Sequence, residues 1–473
     1  MIFRNLLLAI LLVLTGFRSE TLAQQPRSIN FSDFIRIVMN FHPVARQARL
    51  VQDAAKAELM KQKGALDPKL SSMYEEKNFS EKNYLRAFTA EMKIPTWYGP
   101  EIKAGYESIL GDVVNPESRT PSAGLPYAGL SIPIGQGLFI DSRRAAIKVA
   151  RIGQDLALAE RIKLVNKLYL EAGKEYWDWT AKYRRMSLQR IGLGLALDRF
   201  KAVKERVIQG DLPGLDTVEA RVEVQNRTIL YLQASLDNKN ALFELSNFLW
   251  NENMAPLELD TTWFPIDTVF SNTTYLDSLR AWISFASLNH PDIRITQNKL
   301  AQGTIYLKNS RDQLKPDLRL NYNLLGESAL VNASSPAWNF LQNNYKWGLT
   351  FSYPLLLRKE RASVNLAKIS LTRSRLELDL KRKTIETDIF LAHNKLAQQV
   401  KQRTELLDLI RYASLLRDGE QLRFIGGESS FFLVNTREIN LINQQIRMAE
   451  LIASLRKSEL EMMHASGLLL WAN

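Results

Sequence analysis

Two periodicities divide the chain. Over residues 144–209 apolar residues recur at intervals of three and four, as in Ile152, Leu156, Ala159, Ile162, Val165 and Tyr169, with no proline among them. That spacing builds a helix with one packed stripe and polar faces turned to water. At about 1.5 Å per residue such a helix reaches roughly 100 Å. Residues 215–250 predict a returning helix, and the pattern recurs over 362–425 and 431–466, which suggests coiled-coil-like lateral packing. Shorter helical segments precede each pair. Phe34, Ile35, Val38 and Met39 share a face in residues 31–63, interrupted at Pro43, and residues 279–311 are interrupted in the same way at Pro291.

Between the short and long helices the period changes to two. In residues 318–324, Leu318, Leu320, Tyr322 and Leu324 fall on one face and Arg319, Asn321 and Asn323 on the other. Tyr345, Trp347, Leu349, Phe351 and Tyr353 alternate likewise with Lys346, Gly348, Thr350 and Ser352. These are strands with one apolar and one polar face, and the polar loop 326–344 between them completes a hairpin. The earlier counterpart holds more strand-like material, in residues 69–79, 84–94, 101–108 and 127–134, separated by turn signals at 95–100 and 115–117. Two arrangements fit it: one long hairpin with an inserted hairpin, or four spanning strands.

These blocks occur twice. Arg144-Ala145 and Arg361-Ala362 open proline-free stretches that close on glycine turns at Gly210 and Gly427, and both landmarks recur at an offset of 217. Upstream, His42-Pro43 followed by Leu66-Asp67-Pro68 returns as His290-Pro291 followed by Leu314-Lys315-Pro316, at an offset of 248. The sequence reads as a tandem duplication whose first copy carries roughly 30 more residues in its strand segment. The expected divisions are a signal peptide at 1–23, a first repeat at 24–260 with strands over about 68–134, and a second at 261–473 with strands over about 316–354.

The signal reading rests on an apolar run at 6–14 that follows Arg4 and precedes Thr21-Leu22-Ala23, a small-residue site before Gln24. The run is far shorter than the roughly 20 residues of a spanning helix, and no later segment is apolar enough to span as one. The 473 residues include no cysteine, so an exported chain of this kind is held by packing or assembly and has no thiol for N-terminal lipidation. The formal charge is +12, or +11 without Arg4, Arg18 and Glu20. Mean hydropathy is −0.19 and the isoelectric point is near 9.5. The basic residues are scattered along polar helix faces, the densest run being Lys381-Arg382-Lys383; no nucleic-acid partner is expected, because such a footprint needs clustering.

Catalytic and cofactor constellations are missing from the sequence. His42 and His290 precede proline at matching sites and read as structural; with His393 and His464 they form no metal-ligand spacing. Gly135-Gln136-Gly137 has Ile140 where a third glycine would stand, and it follows a strand ending in Pro133, which argues against a dinucleotide site. There is no Gly-x-Ser-x-Gly and no His-Glu-x-x-His. The expectation is a protein that is not an enzyme and holds no cofactor or metal. Asn78-Phe79-Ser80 and Asn332-Ala333-Ser334 match glycosylation acceptors by chance as easily as by function.

Trp338, Tyr345, Trp347 and Tyr353, on or beside the hairpin, fit an aromatic girdle at a membrane interface. A strand face set against lipid needs every backbone group paired, which in a bilayer requires a closed barrel. Barrels take about eight strands or more, and one chain supplies only some four to six, so the barrel must be shared between subunits. Three chains with two hairpins each would give about twelve strands. The fold class read from these parts is an α+β membrane protein: a β-barrel assembled from subunit hairpins, continued by a long α-helical coiled-coil barrel.

The export signal, the repeated order of helix, hairpin, long helix, turn and helix, and the turns Gly210-Asp211-Leu212-Pro213-Gly214-Leu215-Asp216-Thr217-Val218 and Gly427-Glu428-Ser429-Ser430-Phe431-Phe432-Leu433-Val434 together resemble the TolC-type outer membrane efflux proteins. The resemblance covers nearly the whole mature chain and rests on order and duplication rather than on one motif. It implies a homotrimeric channel-tunnel in the outer membrane, extending into the periplasm, that exports substrates without chemistry of its own. It also implies helix-turn-helix tips that dock a periplasmic adaptor protein and an inner-membrane pump of the RND or ABC type. One tip would be Gly210, Asp211, Leu212, Pro213, Leu215 and Asp216, the other Gly427, Glu428, Ser429, Ser430 and Phe431.

Glycine before each turn permits left-handed backbone, and Pro213 or Ser430 suits the start of the returning helix. Exposure of Leu212, Phe431 and Phe432 is expected at a docking surface. Several relatives carry carboxylates around the periplasmic entrance, whereas here those positions read Leu433 and Thr436, with Asp216 and Glu219 at the matching places of the first copy. The expected gate is therefore apolar, made by Phe424, Phe431, Phe432 and Leu433. Leu320, Tyr322, Tyr345, Trp347, Leu349, Phe351 and Tyr353 are the residues expected to face outer membrane lipid. A periplasmic coiled-coil scaffold or adaptor without a channel would share the long helices but would not need the aromatic hairpin.

Overall fold

The structure, a computed structural model, describes residues 27–266, 279–326 and 344–469. The expected export signal, Trp338 and the tripeptide at Asn332 lie outside these residues. Strand β1 (Arg27–Ile29) leads into helices α1 (Phe31–Phe41) and α2 (Pro43–Lys63). Four strands follow, β2 (Lys69–Phe79), β3 (Lys82–Pro95), β4 (Glu101–Leu110) and β5 (Leu125–Pro133), and then the long helix α3 (Ser142–Ile208) with its return α4 (Gly214–Ser246). The chain continues through β6 (Trp263–Pro265), α5 (Leu279–Asn289), α6 (Pro291–Asp312), β7 (Asp317–Leu325), β8 (Tyr345–Ser352), α7 (Arg358–Ile425) and α8 (Phe431–Ser466). The long helices α3 and α7 have 67 and 68 residues, about 100 Å each at the α-helical rise.

The helix breaks have a local cause. A residue before proline is driven out of the helical region by the pyrrolidine ring, and His42 and His290 have ψ of 136° and 128°. His290 then caps α6, its Nδ1 accepting a hydrogen bond from the Asp292 amide at 3.2 Å. At the start of α1 the Asn30 side chain accepts from the Asp33 amide at 2.7 Å, a conventional N-cap.

Two compact units form, each drawing segments from both halves of the sequence. One gathers the described residues of Met1–Pro43, Tyr169–Thr274 and Asn394–Glu461. Here β1 pairs in parallel with β6, and Phe34, Tyr176, Trp179, Leu242 and Leu245 are almost wholly buried. Phe31 stacks on Trp177 with ring centres 5.4 Å apart, and the Tyr176 hydroxyl donates to the Ile29 carbonyl at 3.0 Å. The helical layer and the short strand pair thus share one aromatic core.

The other unit gathers the described residues of Val44–Leu168, Tyr275–His393 and Met462–Asn473. Its helices bury Trp282, Ala286, Ile293, Leu378, Ile385, Ile389, Ala392 and Met462 in one cluster, and Leu307, Val364 and Leu371 in a second. It also holds a six-stranded antiparallel sheet in the order β2-β3-β4-β5-β7-β8. The four early strands form a consecutive meander rather than a hairpin with another inserted in it. The reversal between β3 and β4 is fixed by Thr96, whose amide and hydroxyl both donate to the Pro100 carbonyl, at 3.1 and 2.6 Å. The chain therefore supplies six strands to one sheet, two more than a pair of hairpins would give. Among the described residues no helix is long and apolar enough to cross a membrane.

Candidate functional site

The register carries two opposite faces across all six strands, because side chains alternate and paired residues share a face. One face is apolar from edge to edge. Leu70 lies opposite Met92, which lies opposite Ala104, and the line continues through Ala128 and Leu324 to Tyr345. A neighbouring line runs Ile94, Ile102, Leu130, Tyr322, Trp347, followed by Ile132, Leu320, Leu349. At one end the face closes on Glu76 opposite Arg86, an ion pair of 3.6 Å.

These apolar residues are not a core. Trp347 is 63% exposed and Phe351 66% exposed, and an exposed apolar surface of this extent marks an interaction with lipid or protein. Of the residues expected on it, Leu320, Tyr322, Tyr345, Trp347, Leu349 and Phe351 share the face, while Tyr353 lies one residue beyond the end of β8. Tyr322 and Tyr345 stack with ring centres 6.0 Å apart.

The opposite face is polar and includes Thr89, Glu91, Lys93, Glu101, Lys103, Asn321, Asn323, Lys346 and Thr350. The Tyr127 ring lies across Gly105, where an added Cβ would stand 2.5 Å from it, and its hydroxyl donates to Glu91 at 2.9 Å. Lys93 Nζ is 2.6 Å from the same carboxylate. Arg143, at the start of α3, donates to Glu101 at 2.7 Å.

In the other unit both glycine turns are built alike. Gly210 and Gly427 have φ of 84° and 80°. The Gly210 amide donates to the Val207 carbonyl and the Asp211 amide to Arg206; Gly427 and Glu428 repeat this with Phe424 and Arg423. This paired closure in a left-handed residue is a Schellman cap, which satisfies carbonyls that a helix end leaves free. The return helices start at Pro213, with the Asp216 amide donating to its carbonyl, and at Ser430, whose Oγ accepts from the Leu433 amide at 3.4 Å. Ser429 donates to Glu420.

The turns meet in one apolar cluster of Val203, Ala220 and Phe431, against which Phe200, Val207, Leu212 and Phe424 pack. Phe431 is buried, contrary to the exposure expected at a tip, because its position at the first turn of α8 points it into the space between helices. Leu212, in the turn ahead of α4, is half-buried against the same cluster, and only Phe432 of the three is exposed. Guanidinium groups cover the aromatic rings: Arg199 lies 5.9 Å from the Phe431 ring, Arg206 5.8 Å from Phe424 and Arg221 5.6 Å from Phe200, distances suited to cation–π attraction.

Gly210, Asp211, Pro213, Leu215, Gly427, Glu428 and Ser430 are exposed, as is Leu433; Asp216, Ser429 and Phe424 are half-buried. The exposed apolar residues of this region also include Ile208, Val218, Leu422 and Ile425, which the sequence reading did not single out. Ile208 and Ile425 are the last residues of α3 and α7, and that terminal place was the available signal. Among the described residues no cluster of three or more His, Asp or Glu side chains is arranged to hold a metal.

No family model matches the chain, and no curated protein sequence does. Solved structures do. The open-state MtrE outer membrane channel of Neisseria gonorrhoeae superposes with a TM-score of 0.63 at 15% identity, over 92% of this chain and 88% of that one. The outer membrane protein VceC of Vibrio cholerae gives 0.63 at 13% identity, over 92% and 95%. The CmeC outer membrane channel of Campylobacter jejuni gives 0.62 at 16% identity, over 92% and 85%. The chain has the fold of these outer membrane channels, and this is the fold implied by its resemblance to the TolC-type proteins.

Proposed function

We propose that the chain is the protomer of a homotrimeric outer membrane channel-tunnel, which exports substrates from the periplasm or from an inner-membrane pump. The observation that carries this reading is the two-faced sheet with two unpaired edges. An apolar outer face suits lipid, but in hydrocarbon each unpaired backbone group costs several kcal/mol. Among the described residues, strands β2 and β8 each leave such a row. Six strands are too few to close a barrel alone.

Cyclic assembly supplies the missing partners. Because the six strands alternate in direction, β8 of one copy meets β2 of the next antiparallel. Three copies then give about eighteen strands rather than about twelve, an even number within the range of outer membrane barrels. The tandem repeat supplies the long helices α3 and α7 in corresponding places, and twofold internal similarity within a threefold ring lets them build a periplasmic tube.

The turns at Gly210 and Gly427 are the proposed docking tips for a periplasmic adaptor and an inner-membrane pump of the RND or ABC type. Exposed Ile208, Leu215, Ile425 and Phe432 supply apolar contact there. In the proposed gate Phe432 and Leu433 form the accessible apolar surface, with Phe424 and Phe431 packed beneath. Fractionation and cross-linking test the whole reading. A trimer that resists alkaline extraction from outer membranes, and conducts ions when reconstituted, is expected. A soluble periplasmic monomer would instead identify a scaffold or adaptor.

A further inference from the structure

One register line of the polar face carries lysine across the sheet. Lys69 lies opposite Lys93, Lys93 opposite Lys103, Lys103 opposite Gly129, Gly129 opposite Asn323 and Asn323 opposite Lys346. Four of these six positions are lysine and none is acidic. Like charges directly opposite one another destabilise an antiparallel pair, so this line contributes nothing favourable to strand pairing. The same face uses Thr89, Asn321 and Ser131 elsewhere, so neutral polar residues serve the fold at such positions.

The nearest carboxylates neutralise the line only in part, Glu91 pairing with Lys93 at 2.6 Å. Glu91 and Glu101 stand one line away on either side, about 7 Å along the strand. Glu91 is engaged by Lys93 and by the Tyr127 hydroxyl, and Glu101 by Arg143. Glu107 and Glu75 lie two and three lines away. Among the described residues three lysines on this line, Lys69, Lys103 and Lys346, are left without a carboxylate partner within ion-pair distance, and unpaired charges of one sign gathered at one level concentrate counter-ions there.

We propose that this lysine line selects anionic solutes in the lumen, taking cargo that bears carboxylate, phosphate or sulfonate groups. The inference rests on the channel reading above, which makes the polar face the lumen. The test is ion selectivity of the purified full-length chain in planar bilayers under a KCl gradient, with citrate as a multivalent anion probe. The reversal potential should report preference for chloride over potassium, and citrate should reduce the current. Combined Lys69→Gln, Lys93→Gln and Lys103→Gln should move the chloride-to-potassium permeability ratio towards or below one and relieve the citrate effect. Lys77→Gln, on the same face but beside Tyr84, should change neither. A channel that prefers potassium, or whose selectivity ignores the triple substitution, overturns this inference and leaves the channel reading standing. Absence of any conductance overturns both.

Discussion

Arg199 on α3 donates a hydrogen bond to Glu438 on α8, and the Glu438 side chain is only 3% exposed. A buried pair adds little over an apolar replacement, but removing one partner strands the other charge out of water. Arg199→Met should therefore cost about 3–5 kcal/mol, read as a lower unfolding temperature by circular dichroism and faster proteolysis near the tips. The double substitution Arg199→Met with Glu438→Leu should recover most of the loss. A single variant as stable as the parent would show that the pair holds nothing.

His290 sets a pH response. Burial pushes its imidazole down to about 4 from the ordinary 6.5; Asp292 opposes the drop, while His464, Lys381 and Lys163 add to it. The folded chain then refuses a proton that the unfolded chain accepts, so the neutral-ring stability is full above pH 6.5 and is lost as pH falls from 6.5 towards 4. His290→Asn keeps a capping acceptor without a titrating ring. Its denaturation midpoint should fall less steeply than the parent's between those pH values, and parallel curves would remove His290 as the cause.

The two faces of β8 should tolerate charge differently. Leu349→Arg places a guanidinium on the apolar face and should cost about 2–4 kcal/mol near mid-membrane, with little cost on the lumenal side. Gly348→Arg is the matched control, since the Gly348 position has open space around it and lies on the polar face. Heat-resistant oligomer on gels is the measure. Equal loss in both would mean that β8 does not line a lumen.

At the tips the left-handed backbone is the vulnerable element. A Cβ added at Gly210 or Gly427 meets no neighbouring atom within 4 Å, so the penalty of Gly210→Val or Gly427→Val comes chiefly from φ, about 1–2 kcal/mol per residue. If the proposed channel reading holds, export should fall while trimers still reach the membrane, and Gly210→Asn should be milder because asparagine visits that conformation. Full export by both valine variants would place adaptor docking elsewhere.

Much of this architecture was legible locally. Pro43 and Pro291 ended helices because a preceding residue cannot stay helical. Gly210 and Gly427 closed them because only a left-handed residue completes the cap. The alternation of Leu318 to Leu324 with Arg319 to Asn323 assigned both strand faces, since a period of two is a property of a few neighbouring residues. Lys93 and Lys103 sit ten residues apart in the sequence, and nothing in either strand alone says that they face each other.

The sequence by itself determined the long helices and their ends, the proline-broken short helices and the amphipathic faces of the strands, all of which follow from chain-local sterics and periodicity; it did not show the short strands β1 and β6. Tertiary structure decided what depends on partners far along the chain. It set β5 beside β7, opposing Leu130 to Tyr322, and so joined the early and late strands in one sheet of six, where periodicity had left the number open between four and six. It buried Phe431 against Val203 and Ala220, although its place beside a turn suggested exposure. It brought Arg199 to Glu438 across 239 residues. Pairing of this kind is set by which surfaces exclude water together, a quantity that no single segment carries.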